Sequence, residues 1–407
     1  MESRNDSVKV ELKDKYLYQI MLEFGEISNM ISRGSDLLIF FFVRSISLLT
    51  NYGTGILIVQ NGWLNTEYGE KASKFFLKTL KQIKIIDSSF KFFDESSANI
   101  NTVITFFRKN SFEETISFNM MEKNNKNNVY VKKKKSFNIN NAILFKDKWG
   151  YIMNTKDEIF DLFSNIIYNK NLQSQSFYTI GQGINERKEV FIPKKYLNQI
   201  KQNKNLINAI FKESMYYYKN TDYFLYHSFT ANKEDISFLK TIGAEEFAKG
   251  KSIKRKYPSI IMPRGIGETH FAGILPDKTL SNSYVDVYIN SSNDDDLYNI
   301  WLFCNSTLFF LYRELSGRRN LGGGLLKAEA SDIKNIPLYF PISDRKKIKS
   351  IINKCDKPIN LINRIESEIQ SEIDLLVLKY FNIEDKYNLI ISELKRLFEF
   401  RVKKAKS

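Results

Sequence analysis

The first 110 residues alternate helix-length apolar segments with short β-branched runs, and few folds accommodate that order. Gly34, Ser35 and Asp36 signal a helix start, and Asp36–Leu49 reads as a buried helix ended by Asn51, Tyr52 and Gly53. Gly55–Val59 is a short apolar run rich in β-branched residues, which reads as a buried strand. A loop with Trp63 leads to an amphipathic helix over Glu70–Leu80. Ile83–Ile86 is the next strand, and Thr102–Phe107 follows a Ser/Asn-rich loop as a third. Such alternation packs as a parallel or mixed sheet with helices on its faces. Residues 1–35 read as polar, mixed loop and helix.

The pattern changes near Asn110. Asn124–Asn128 is low in complexity and Lys132–Lys135 is a run of four lysines, so 111–144 reads as a basic exposed loop or linker. From 145 to 342, short strand-like segments (Phe177–Ile180, Val190–Ile192, Tyr223–Tyr226, Ser259–Met262, Val285–Ile289) are split by Gly, Asn and Lys loops. One helix interrupts them over Asp296–Leu315, with Trp301, Cys304, Leu308, Leu311 and Leu315 on one face. This is an α+β domain. A helical tail fills 343–407, with Ile362, Ile365, Ile369, Ile373, Leu376 and Tyr380 in one stripe and Leu389, Ile390, Leu394 and Leu397 in another.

The net charge of +15 favours an anionic partner, because each phosphate neutralised releases counterions. Nucleic acid leads and an anionic membrane surface comes second. Two cysteines, Cys304 and Cys355, exclude a disulfide framework or a cysteine-rich zinc site. With His227 and His270 as the sole histidines, neither a histidine metal site nor a catalytic triad is expected, and no metal is. Met1–Lys15 lacks a signal-peptide core, and the longest apolar stretch, Leu37–Val43, is far short of the roughly 20 residues that span a bilayer. A reduced cytoplasm and no membrane partner are therefore expected.

Three segments carry candidate DNA-contacting residues. The first holds Arg318, Arg319, Asn320, Gly322, Gly323, Gly324 and Lys327. Three consecutive glycines free backbone N–H groups for phosphate oxygens, and the paired arginines supply forks suited to phosphate or guanine edges. The bland equivalent is a flexible loop with solvated arginines. The second is Gly181, Gln182 and Gly183, where Gln182 suits an adenine edge and a hairpin turn is the alternative. The third is Arg255-Lys256-Tyr257 with Pro263-Arg264-Gly265, which suits backbone-plus-stacking contact or, equally, a solvated face. Tyr216–Tyr218 and the pair Phe106 and Phe107 are candidates for stacking on an extruded base. In a strand the two phenylalanines face opposite ways, so at least one belongs to the core. Asp294–Asp296 precedes a helix and reads as capping and dipole compensation.

In this order the pieces resemble the gamma-class amino-group DNA methyltransferases, the large adenine-N6 enzymes of restriction-modification systems. Asp36–Arg44 and Gly55–Gly69 are similar to the helix, strand and loop that follow that family's Asn-Pro-Pro-Tyr tetrapeptide. Thr102–Phe107 falls where the family has a strand of the target-base pocket, which would place Phe106 and Phe107 there. Thr179–Ile192 and Tyr257–Phe271 resemble recognition-domain patterns. Asn305–Phe310, Gly317–Lys327 and Asp332–Pro337 resemble the most recognisable stretch, and Glu368–Glu384 the helical tail.

The resemblance implies an α/β partial Rossmann-like methyltransferase subdomain (1–110), then an α+β target-recognition domain and a helical tail. Yet no Asn-Pro-Pro-Tyr or Asp-Pro-Pro-Tyr occurs, and no glycine-rich donor loop precedes Asp36. Those residues hold and polarise the target amino group and stack on the flipped base. The expectation is a target-recognition portion that binds double-stranded DNA and has no catalytic residue of its own. S-adenosylmethionine would bind mainly in a partner chain carrying the missing motifs. Alternatives are a non-catalytic DNA specificity subunit of a restriction or phage-defence complex, and an inactive fragment.

Overall fold

The computed structural model describes residues 6–90, 101–124, 126–167, 177–182, 192–193, 199, 223–224, 233–243, 258–275, 284–290, 294–321, 324–338, 344–355 and 359–406. They form two compact units, one of Met1–Phe160, Leu315–Leu326 and Leu397–Ser407, the other of Asp161–Glu314 and Lys327–Arg396.

In the first unit, α1 (Asp6–Phe24) and a 3₁₀ turn (Gly25–Met30) precede α2 (Leu37–Leu48), β1 (Thr54–Gln60), α3 (Glu67–Thr79), β2 (Gln82–Ser88) and β3 (Thr102–Arg108). Then come β4 (Thr115–Lys123), β5 (Val129–Asn138), α4 (Ile143–Lys146), α5 (Trp149–Asn154) and α6 (Asp157–Ile167). Asp36 caps α2 by accepting a hydrogen bond from the Leu38 amide, as the helix-start reading anticipates. Up to residue 35 the described chain is a mixture of helix and loop, as expected: one helix over Asp6–Phe24, a 3₁₀ turn and then a loop.

The sheet is mixed, in the order β1-β3-β2-β4-β5. β3 runs antiparallel to both β1 and β2, β4 is parallel to β2, and β5 is antiparallel to β4. Registers align Gly55, Phe107, Ile83 and Ile116 in one row and Leu57, Thr105, Ile85 and Phe118 in the next. That face packs against Phe42, Val43 and Ile46 of α2 and Ala72, Phe75 and Phe76 of α3. Each such Val, Ile, Leu or Phe side chain contributes about 1.5–3 kcal/mol when removed from water.

The segment 111–144 is not a linker. It supplies β4 and β5, two strands of the sheet. β5 is an edge strand exposed along nearly its whole length, so it carries no apolar alternation and its lysines read as loop. A register shift between Phe118 and Asn119 leaves Lys134 as the extra residue of a bulge.

The second unit contains β6 (Tyr178–Gln182), β7 (Ile192–Pro193), β8 (Tyr223–Phe224), α7 (Lys233–Thr241), β9 (Ile260–Pro263), β10 (Gly265–Ile266), β11 (Gly273–Ile274) and β12 (Tyr284–Ile289). A four-stranded antiparallel sheet has the order β11-β9-β12-β6. Two helices, α8 (Asp294–Cys304) and α9 (Thr307–Ser316), replace the single helix expected over Asp296–Leu315. β13 (Arg318–Leu321) and most of β14 (Leu325–Lys327) belong to the first unit; the second resumes with α10 (Ala330–Ile333), α11 (Arg345–Lys354), α12 (Leu361–Ile365) and α13 (Glu368–Phe381), and α14 (Tyr387–Lys406) ends in the first. α8 packs on α11 and α13. Asp294, Asp295 and Asp296 occupy the first turn of α8, where carboxylates offset the helix dipole. Among the described residues, no helix is long and apolar enough to cross a membrane.

Candidate nucleic-acid interface

β1 and β2 point their carboxyl ends the same way, and the amino end of antiparallel β3 meets them there. After Gln60 the chain makes a 3₁₀ turn over Asn61–Asn65, and Thr66 then caps α3 by accepting from the Gly69 amide (3.1 Å). Gly69 is obligatory, since a Cβ there would lie 1.6 Å from the Trp63 carbonyl oxygen. Trp63 is buried among the rings of Phe42, Phe76 and Trp149.

Two contacts build the candidate site on this edge. The Asn61 amide donates to the Asn101 carbonyl (3.0 Å), and the Asn101 side-chain amide donates to the Arg319 carbonyl (2.7 Å). The arginine pair is thereby set at the carboxyl edge of the sheet, where open α/β sheets bind their ligands. Arg318 and Arg319 are both half-exposed. Burial pushes the Tyr68 hydroxyl above its usual pKa; the Thr66 hydroxyl opposes this, Asp36 adds to it and the nearby Arg318 charge opposes it. Gly324 has φ +71°, a left-handed conformation that favours glycine, and its carbonyl accepts from Arg401 Nη1.

The other sequence candidates fare differently. In the second unit, Gly181 lies on β6 opposite Asp286, and a Cβ there would meet the Tyr288 ring at 2.9 Å. That glycine is explained by packing. Gln182 is exposed beside it. Arg264 and Lys327 converge on Glu329, at 4.0 and 3.0 Å. Gly183, Arg255, Lys256, Gly322, Gly323 and Tyr216–Tyr218 lie outside the described residues, as does the side chain of Asn320.

The base-pocket assignment of Phe107 is corrected. It is 1% exposed, inside the core against Phe42. Phe106 faces the other side of the sheet, beneath Lys84 and Arg108. Both pair near the amino end of β1, about 17 Å (Phe106) and about 20 Å (Phe107) along the strand from Asn101 at about 3.3 Å per residue.

The motif around Asn305 is a buried lock in the second unit. The Ala272 amide donates to Asn305 Oδ1 (3.1 Å), and Asn305 Nδ2 donates to the Ala272 carbonyl (3.0 Å). Ser306 Oγ accepts from the Phe309 amide, and Asp374 Oδ1 accepts from the Thr307 amide (2.8 Å). Those side chains end α8 and start α9, which is why one long helix does not form. Arg364 joins the network through Gln370 and Asn305, and His270 Nε2 lies 2.9 Å from Glu314 Oε1. Burial pushes the Asp374 carboxyl up to about 7, against its hydrogen bonds from Thr307 and Gln370 and the Arg364 charge. Burial lowers Arg313 to about 10, opposed by Cys304 and Glu314. Asn101 escapes sequence reading, because nothing marks it within its Ser/Asn-rich surroundings.

Residues 11–93 match the family model described as Eco57I restriction-modification methylase. The match covers α2, β1, α3 and β2, the segment whose resemblance to such methylases is legible in sequence. No curated protein matches the chain. Similar solved structures include the type IIG restriction endonuclease BpuSI, at 13% identity and TM-score 0.43, covering all of this chain and 54% of that one. The DrdV–DNA complex shares 8% identity at TM-score 0.37, over 84% of this chain and 41% of that one. The ATP-dependent Type ISP restriction-modification enzyme LlaBIII bound to DNA shares 10% identity at TM-score 0.35, over 84% and 27%. The chain spans about half the length of the first of these and less of the others.

The methylase family that residues 11–93 match uses S-adenosylmethionine. The turn after β1 holds Gly62, Trp63, Leu64 and Asn65, all buried, and Asn65 Oδ1 lies 2.0 Å from where a Gly150 Cβ would stand. Among the described residues, no group of three or more His, Cys, Asp or Glu is placed to hold a metal ion.

Proposed function

We propose that this chain is the DNA target-recognition portion of a gamma-class adenine-N6 methylase in a restriction-modification system. Its first unit is the carboxyl-terminal part of a Rossmann-like catalytic sheet. S-adenosylmethionine and the Asn-Pro-Pro-Tyr chemistry belong to a polypeptide segment outside residues 1–407. The family match over 11–93 supports the methylase reading. The observation that carries DNA contact is the Asn101–Arg319 bond, which fixes an arginine pair to the carboxyl edge of the sheet in a chain of net charge +15.

In this reading Arg318 and Arg319 contact backbone phosphates or guanine edges. Gln182, Arg264 and Lys327 add contacts from the second unit. No methyl-transfer step is assigned to this chain's own residues.

The test is the salt dependence of duplex DNA binding. Each phosphate contact contributes about 0.9 to the slope of log affinity against log salt. Arg318→Ala with Arg319→Ala lowers that slope by about 1.8, which is roughly a tenfold smaller loss of affinity between 50 and 200 mM salt. An unchanged slope refutes the assignment.

A further inference from the structure

The lysine run of the sequence lies on a two-stranded ribbon. Between Thr115 and Asn138, β4, β5 and their turn hold six lysines against one carboxylate, Glu122, so they carry five of the chain's fifteen surplus positive charges. Glu122 accepts from the Tyr130 hydroxyl (2.8 Å). Lys135 pairs with Asp157 (2.5 Å), and Lys123 lies over the Phe90 ring. Lys126, Lys132 and Lys133 are exposed, and among the described residues none of these three is in an ion pair. One charge or one bulge is enough to keep an edge strand from pairing with other chains. The bulge at Lys134 already interrupts this edge. The lysines around it exceed that duty, and like charges this close repel one another in the folded state.

The topology adds a second observation. β2 pairs with β4 as far as Met121, and from there β4 and β5 run on as two strands through the pairs Glu122–Tyr130 and Lys123–Val129. Asn124 closes the ribbon, its Oδ1 accepting from the amides of Lys126 and Asn128 (2.9 Å each). Because β4 is parallel to β2, this tip stands at the carboxyl edge of the sheet, where Asn101 holds the Arg319 carbonyl. β4 and β5 lie two and three strand spacings from β3, about 10 and about 14 Å. The arginine pair and the ribbon tip thus share one edge of one sheet.

The lysines also face both ways. Asn119 and Met120 are neighbours on β4 and point to opposite faces, so their partners Lys133 and Lys132 do too. A flat anionic surface such as a membrane meets one face of a ribbon. A groove presents phosphates on both walls. The major groove of B-form DNA is about 12 Å wide and admits a two-stranded ribbon, whereas that of an RNA duplex is deep and narrow.

We propose that the β4–β5 ribbon is a further DNA-contacting element, which enters the major groove of duplex DNA tip first and sets Lys126, Lys132 and Lys133 against phosphates of both strands. This rests on the duplex-DNA reading above and extends that surface along the sheet edge from the arginine pair to β5.

The test measures duplex DNA binding by the full chain between 50 and 200 mM salt, read by fluorescence anisotropy. Lys126→Ala with Lys132→Ala and Lys133→Ala should lower the slope of log affinity against log salt by about 2.7, a roughly 40-fold smaller loss of affinity over that range. Removing as much charge from exposed positions of α11, by Lys346→Ala with Lys347→Ala and Lys349→Ala, should leave the slope as it is. An RNA duplex of the same length should compete about tenfold less well than DNA for the unaltered chain. Circular dichroism checks that each variant is folded. An unchanged slope in the ribbon variant, with or without lost binding to phosphatidylserine vesicles, overturns the proposal. So does an equal drop in the α11 variant, or equal competition by RNA. If the Arg318/Arg319 variant lowers the slope and the ribbon variant does not, the ribbon alone has failed. If only the ribbon variant lowers it, the ribbon stands and the arginine assignment has failed. A chain that does not bind duplex DNA refutes both.

Discussion

Asp374 makes the stability of the second unit fall as pH rises. Its Oδ1 accepts from the Thr307 amide and from Gln370 Nε2, and the Thr307 side chain adds a further favourable contact to the carboxylate. Burial raises the folded-state value to about 7, against about 3.9 in an unfolded chain. The folded state therefore holds a proton that the unfolded state has released, between about pH 4 and pH 7. The contribution is fully present below about pH 4, is lost as pH rises to about 7, and is flat above that. Three units correspond to at most about 4 kcal/mol. Asp374→Asn keeps the shape, stays neutral at every pH and abolishes the slope. The assay is urea unfolding from pH 4.5 to 8, with hydrogen exchange of amides in α8, α9 and α13 reporting on this unit. The Asn variant should match the wild type at the acid end and exceed it by up to about 4 kcal/mol at pH 8. A difference between the two proteins that does not change with pH refutes the reasoning.

Gly69→Ala forces a methyl into the Trp63 carbonyl and should destabilise the first unit by about 3 kcal/mol or more, whereas Gly34→Ala, 3.8 Å from its nearest neighbour, should be close to neutral; thermal melts compare them. Phe107→Ala removes a core ring and should cost about 3–5 kcal/mol in a urea titration. Phe106→Ala on the opposite face should cost less and leave DNA binding unchanged, which a base-pocket role for Phe106 would contradict.

The parts of the first unit legible in sequence are those where burial is one-sided and local. Asp36 as an N-cap, the β-branched run of β1 and the phenylalanines of α3 each declare themselves within a few residues. What escapes is set by distant partners or by lack of burial. β5 reads as a linker because both its faces meet solvent. Residues 6–24 hide the bounds of their helix behind a scattered polar sequence. The break between α8 and α9 depends on Asp374, 67 residues beyond Thr307. The arginine pair is visible as charge, but its place on the sheet depends on Asn101, 218 residues away. The glycines split likewise: Gly324 adopts a left-handed backbone, while Gly181 answers to the Tyr288 ring.

Transfer of labelled methyl groups from S-adenosylmethionine to duplex DNA tests the division of labour most directly. The chain alone should bind DNA and incorporate no label, and adding the polypeptide that bears Asn-Pro-Pro-Tyr should yield N6-methyladenine. Label incorporated into adenine by residues 1–407 alone would contradict the account.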